Sequence, residues 1–258
     1  MNNKKYKYIY GPVPSWRLGS SLGIDPVSKG RKICSFDCIY CQIGKTGLLT
    51  DERGIFIETR DIIDEVRSLP PLKIDYITFS GAGEPTLAAN LGKMIRAIRK
   101  IRKENIAVIS NASLFHREDV RKDLQLADFV MAKLDAPMQE ILTAVNRPVK
   151  TISMEQIIAG IKAFKAMFKG RLALQMMFME QNKGAAQELA RLAKEIKPDE
   201  VQINTPLRPC KVKPLPEPEI DKIESYFKGL KTISVYKAER KKIRPLSDEE
   251  TLKRRGKV

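Results

Sequence analysis

Three cysteines fall close together, as Cys34-Ser-Phe-Asp-Cys38-Ile-Tyr-Cys41. Their spacing is C-x3-C-x2-C, with an aromatic residue directly before the last. A four-iron cluster is ordinarily held by four thiolates, one per iron. Three thiolates with no fourth nearby suit a [4Fe–4S] cluster that keeps one iron open to another ligand. A structural zinc site would ask for two paired cysteine knuckles or added histidines. The chain offers one further cysteine, Cys210, and one histidine, His116, both distant in sequence. Inert buried thiols are the third reading. A disulfide is disfavoured in a chain without a secretory signature.

The elements that must position these thiols follow from the rest of the chain. Its 258 residues suffice for one large α/β domain or two small ones. At 43% hydrophobic and 30% charged residues it should build a real core. No apolar run approaches a membrane span, and Met1 to Lys7 lacks the apolar stretch of a signal peptide. The expectation is a cytoplasmic enzyme with reduced thiols. Net charge is +16 and unevenly placed. Residues 1–50 hold 8 basic and 2 acidic side chains, and residues 228–258 hold 11 and 4. Basic ends on a nearly neutral body could attract a phosphate-rich partner such as RNA; solvated termini explain them equally well.

Strand-like and helix-like segments alternate. A first strand lies near Leu22–Ile24, then a helix over 57–69. Strands at 74–79, 106–109, 129–134, 172–179 and 201–203 are separated by helices at 91–101, 116–126, 154–168 and 185–196. Six βα units argue for a parallel sheet, curled into a partial (βα)6 TIM barrel. Such barrels place chemistry at the C-terminal strand ends. Polar groups fall there: Gly81–Glu84, Asn111, Asp135, Asn182 and Asn204 each follow an apolar strand. Five prolines between Thr205 and Pro218 predict a loop leaving the barrel. The expected division is residues 1–210 as the barrel domain and 211–258 as a proline-rich linker with a basic C-terminal extension.

With these residues in view, the chain resembles the radical S-adenosylmethionine (SAM) superfamily, over about residues 9 to 210. It is similar to a branch of iron–sulfur oxidoreductases whose N-terminus reads Gly-Pro-Val-Pro-Ser-Arg-Arg-Leu-Gly. Here the stretch is Gly11 to Gly19, with Trp16 in place of the first arginine. The wybutosine-synthesis tRNA enzymes are more distant relatives of that branch. The resemblance implies that Cys34, Cys38 and Cys41 hold the cluster, and that SAM chelates its open iron. It implies that Tyr40 packs against the SAM adenine, and that Gly81, Ala82, Gly83 and Glu84 match a Gly-Gly-Glu-Pro segment facing the SAM amino group. Small residues there would let the backbone approach the ligand.

Further positions implied by the resemblance are softer in motif. Asn111 sits in a Thr-Asn-Gly-like element, and Asp135 in a Ser-Leu-Asp-Ala-like element whose serine is Lys133. Asp135 would contact ribose or a substrate hydroxyl; its competing role is a helix N-cap. Gln175, Met177 and Asn182, with Asn204 and Thr205, fall where adenine and ribose contacts are usual. Asn146-Arg147-Pro148 is either an anion-positioning element or a surface turn. Cys210 is either an inert loop thiol or a hydrogen-atom donor, and His116 a residue at a helix start.

The implied reaction is reductive cleavage of SAM to a 5′-deoxyadenosyl radical, which removes hydrogen from a substrate. An electron donor such as a flavodoxin or ferredoxin is implied with it. The leading substrate class is tRNA or a nucleotide. A peptide or small metabolite is the alternative, and a non-catalytic iron–sulfur electron carrier the third.

Overall fold

The computed structural model describes residues 6–28, 30–239 and 243–255. Residues 1–5 and the tail cations Arg240, Lys241, Lys242 and Lys257 lie outside the described residues. Eight strands form one curled sheet. In chain order they are β1 (Ile9–Ser15), β2 (Gly19–Ile24), β5 (Tyr76–Phe79), β6 (Asn105–Ser110), β7 (Phe129–Lys133), β8 (Arg171–Met177), β9 (Glu200–Asn204) and β10 (Thr232–Ser234). Their spatial order is the same. All neighbours are parallel except the β1–β2 hairpin. A two-residue pair, β3 (Ile33–Cys34) and β4 (Leu48–Leu49), stands apart and carries the first cysteine.

The crossovers are α1 (Thr59–Arg67), α2 (Leu91–Arg99), α3 (Glu118–Leu124), α4 (Gln139–Val145), α5 (Met154–Met167) and α6 (Ala186–Ile196). Then come α7 (Glu217–Ser225) and α8 (Asp248–Arg255). The six expected barrel strands are all present, so the half-barrel reading holds. Helix α5 starts at a full capping box, with Ser153 and Gln156 exchanging side-chain and backbone hydrogen bonds.

Strand residues alternate between the two faces of the sheet. Ile106, Val108, Val130, Ala132, Leu172 and Leu174 join the large core under the helices. Ala107, Phe129, Met131 and Ala173 face inward and pack around Leu18, which the β1–β2 turn pushes into the barrel. That layer is a floor. Above it the inward positions turn polar, and a cavity opens.

One expectation needs correction. The stretch 205–218 is not loop throughout. Helix α7 begins at Glu217 with Pro218 in its first turn, where proline removes an N–H that has no partner anyway. Segments beyond residue 210 pack with the barrel. Leu215, Ile220, Ile223 and Phe227 belong to the main core, and β10 extends the main sheet through β9. Among the described residues no helix is long and apolar enough to cross a membrane.

Candidate functional site

The cysteine loop is held from two sides. On one, Ile33 N–H donates to Ala82 O (3.2 Å) and Glu84 N–H to Ile33 O (3.0 Å). A Cβ on Gly83 would stand 2.0 Å from Ile33 O, so the glycine is required by the approach of β3. A Cβ on Gly81 would likewise meet the Asp25 carboxylate. On the other side, α4 ends in carbonyls that lack helical partners. Asp37 N–H donates to the Asn146 and Arg147 carbonyls, Ile39 N–H to Val145 O, and Val149 N–H to Ser35 O. The Asn146–Pro148 element is therefore a clamp on the cysteine loop.

Each thiol faces a hydrogen-bond donor. Lys32 Nζ lies 3.1 Å from Cys41 Sγ, Asn146 Nδ2 3.4 Å from Cys38 Sγ, and Asn111 Nδ2 3.6 Å from Cys34 Sγ. Lys32 is buried and also donates to Gly44 O. Burial pushes the Cys34 and Cys38 thiols up, with Glu84 adding to the effect at Cys34. A metal bound here must therefore displace protons. Among the described residues no group of three or more His, Cys, Asp or Glu converges tightly enough to hold one metal ion. A four-iron cluster takes each thiolate on a different iron and does not require that convergence. Three thiols with donors aimed at sulfur fit such a cluster.

Asp135 ties the rim together. Its Oδ1 accepts from Met177 N–H (2.8 Å), and its Oδ2 from Asn146 Nδ2 (2.9 Å) and the Tyr40 hydroxyl. Its carbonyl accepts from Asn182 Nδ2 (2.8 Å). Helix α4 is capped at Met138, so Asp135 is not its N-cap. Burial, then the Asp135 charge, holds the Tyr40 phenol well above its ordinary value. Lys133 Nζ sits 4.7 Å from the Tyr40 ring centroid, a cation–π contact.

Glu84 is fully engaged by the protein. It accepts from Thr86 N–H and Oγ1, Ser110 Oγ and Asn111 N–H. Burial raises its pKa against the pull of those bonds. It joins the turn after β5 to the end of β6 and so places Asn111 against the cysteine loop.

A cavity of about 360 Å³ opens above the floor. Tyr40, Cys41, Gly81, Gln175, Met177, Asn204 and Thr205 border it. Ala82, Gly83, Glu84, Asn111, Asp135 and Asn182 are not among its wall residues. The last four bond to protein groups that shape the rim. Cys210 donates to Val212 O and packs beside Tyr40 and Met179. His116 Nδ1 bonds Ser113 O ahead of α3. Sequence reasoning missed Lys32 and Asn146 as thiol partners. It also missed Arg17, Arg208, Arg254 and Arg255, which border the cavity together with Trp16, the residue that departs from the N-terminal motif.

The radical SAM superfamily model matches residues 31–193. The chain is 43% identical to UPF0026 protein slr1464 of Synechocystis sp. over 208 residues, covering 80% of this chain and 78% of that protein. A probable GTP 3′,8-cyclase of Saccharolobus solfataricus is 23% identical over 214 residues, covering 81% of this chain and 65% of that one. A structure of TYW1 with a lysine–pyruvate adduct bound superposes with a TM-score of 0.65. The match covers 83% of this chain and 76% of that one at 16% identity, a likeness of fold.

Proposed function

Because this chain belongs to the radical SAM superfamily, with a UPF0026 protein as a relative, we propose that it makes a substrate radical in the half-barrel cavity. Members are enzymes that use a [4Fe–4S] cluster and SAM and draw on an electron donor. In our reading Cys34, Cys38 and Cys41 hold the cluster, and a flavodoxin or ferredoxin delivers the electron. Tyr40, Gly81, Gln175, Met177, Asn204 and Thr205 hold SAM along the rim, oriented by Asp135, Asn111 and Asn182. Bound together, cluster and SAM supply a 5′-deoxyadenosyl radical that takes hydrogen from the substrate. The protein positions the reactants and excludes water. The single observation that carries this reading is the three-thiol loop, clamped at the C-terminal strand ends and opening onto the cavity through Cys41.

For the substrate we propose a nucleotide, or a nucleotide unit of RNA. The relative named as a GTP 3′,8-cyclase supports the nucleotide class. The basic tail supports RNA less than its composition implies. Lys237 pairs with Asp221 and Glu224, Lys253 with Glu249 and Glu250, and Arg254 with Asp25 and Glu250.

Anaerobically purified protein should contain about four irons per chain and absorb broadly in the visible. Alanine at Cys34, Cys38 or Cys41 should abolish both, whereas Cys210→Ala should not. Reduced protein should convert SAM slowly to 5′-deoxyadenosine. Stoichiometric zinc without iron after reconstitution would overturn the cofactor reading. Comparing nucleosides of tRNA and small metabolites, with and without the gene, tests the substrate. A change confined to peptides or to metabolites other than nucleotides would refute the nucleotide assignment.

A further inference from the structure

The cavity wall has a one-sided charge pattern. Arg17, Lys133, Arg208, Arg254 and Arg255 border it, and none of its described wall residues is Asp or Glu. These cations come from four parts of the chain: the β1–β2 turn, the end of β7, the loop after β9, and α8. Collecting them on one concave surface favours a positive potential there, offset in part because Arg254 pairs with Asp25 and Glu250 and Lys133 Nζ lies 3.9 Å from Asp135 Oδ2.

Helix α8 is built into this wall. Leu246 N–H donates to Gly11 O (2.6 Å), and Gly11 N–H to Thr251 Oγ1 (3.1 Å). Arg254 Nε lies 3.3 Å from the buried Asp25 carboxylate and also pairs with Glu250. Arg255 Nη2 donates to Pro14 O (2.8 Å). From the other end of the sheet, Arg208 Nη1 reaches both Arg255 O and Gln42 Oε1 (2.9 Å each). The helix thus joins β1, one edge of the sheet, to the loop after β9 and to the cysteine loop.

One aromatic group belongs to the same wall. Arg17 lies 4.0 Å over the centroid of Trp16. Trp16 is the sole tryptophan of the chain.

We propose that this cavity binds an oxyanion-bearing ligand, with Arg208 and Arg255 as its charged anchors and α8 as a permanent part of the substrate site. A guanidinium offers a planar fork that matches phosphate and carboxylate oxygens. The nucleotide reading makes the oxyanion a phosphoryl group. The oxyanion site rests on the proposed function only for the cavity being the substrate site; its phosphoryl assignment rests on the nucleotide reading as well.

Trp16 emission reports the cavity directly. Cluster-reconstituted full-length protein, with and without SAM, is titrated with inorganic pyrophosphate and separately with citrate at fixed ionic strength, and calorimetry repeats both. Saturable binding of pyrophosphate is expected. R208Q and R255Q should each weaken it about tenfold or more, the loss of one charge-assisted hydrogen bond. R208K, which keeps the charge without the fork, should retain intermediate affinity, and matching circular dichroism spectra show that the variants fold. Citrate binding alone, lost in R208Q, would uphold the oxyanion site and overturn its phosphoryl assignment, and with it the nucleotide reading. No saturable response to either probe, or one indifferent to R208Q and R255Q, would overturn the inference while leaving SAM cleavage untouched.

Discussion

Replacing Lys32 with alanine should lower the reduction potential of the bound cluster. The ammonium sits 3.1 Å from Cys41 Sγ on a side chain only 7% exposed. Burial works to lower the Lys32 pKa, but the hydrogen bond and charge of Cys41, with Cys34 and Cys38, carry it above the ordinary value. The group is therefore cationic at neutral pH. A cation beside the cluster favours the form holding one more electron, so its removal shifts the couple downward. At roughly 6 Å from the added charge and an effective dielectric of about 20, the interaction is about 2.8 kcal/mol. For a one-electron couple that is about 120 mV. Asp37 Oδ1, 3.9 Å from Nζ, offsets part of the field, which brings the expected drop to roughly 60–120 mV. The assay is a redox titration of anaerobic protein followed by electron paramagnetic resonance of the reduced cluster. Lys32→Arg, which preserves the charge, should stay near the parent. An alanine variant with full iron content and a potential within about 20 mV of the parent would refute the argument, since a field of this size would then be missing.

Other outcomes follow from the same geometry. Arg53, with its side chain 7% exposed, donates to Thr86 O, Ala88 O, Asp119 and Asp123; Arg53→Met should cost about 3 kcal/mol in urea denaturation. The Arg117 and Arg53 guanidinium groups hold the Asp119 carboxyl well below the usual carboxylate range. Its contribution is therefore complete above the unfolded carboxylate pKa and is lost as pH falls below about 4; Asp119→Asn should flatten that part of a melting-temperature profile. Gly83→Val should abolish iron uptake, measured by metal analysis, because its side chain would collide with the Ile33 carbonyl; normal iron with lost SAM cleavage would instead place the need at the ligand. Removing residues 243–258 strips Arg254 from the fully buried Asp25, and the melting curve should show a loss of about 3–5 kcal/mol. Asp135→Asn should lower both thermal stability and SAM affinity by equilibrium dialysis, since Met177, Asn146 and Tyr40 converge on its carboxylate.

The sequence made the parallel core legible because β6 to β9 are short apolar runs separated by helical periodicity. The thiol loop was legible because its spacing is local. Strand β1 was not, since Pro12 and Pro14 argue against a strand; they are tolerated because β1 is an edge. Helix α4 has seven residues, too few to show a period. The partners of Asp135 lie as far as 95 residues away, at Tyr40. Those of α8 lie farther, with 241 residues between Arg255 and Pro14. Lys32 carried no signal among 47 lysines and arginines. Local pattern reveals periodicity and motif spacing; contacts closed by the fold are invisible to it.

The floor of the half-barrel separates two properties that many active sites entangle. The chemistry we propose belongs at the rim, where Asp135, Asn111 and the cysteine loop fix geometry. Depth is set at the opposite end by Leu18 and Met131, which border the cavity and pack in one cluster with Ala107, Phe129 and Ala173. Enlarging either alanine would lift Leu18 or Met131 and shorten the chamber without touching a rim hydrogen bond. If the cavity is the substrate site proposed above, two small side chains would act as a length gauge, and a lineage could change the size of what it accepts there while its radical chemistry stays constant.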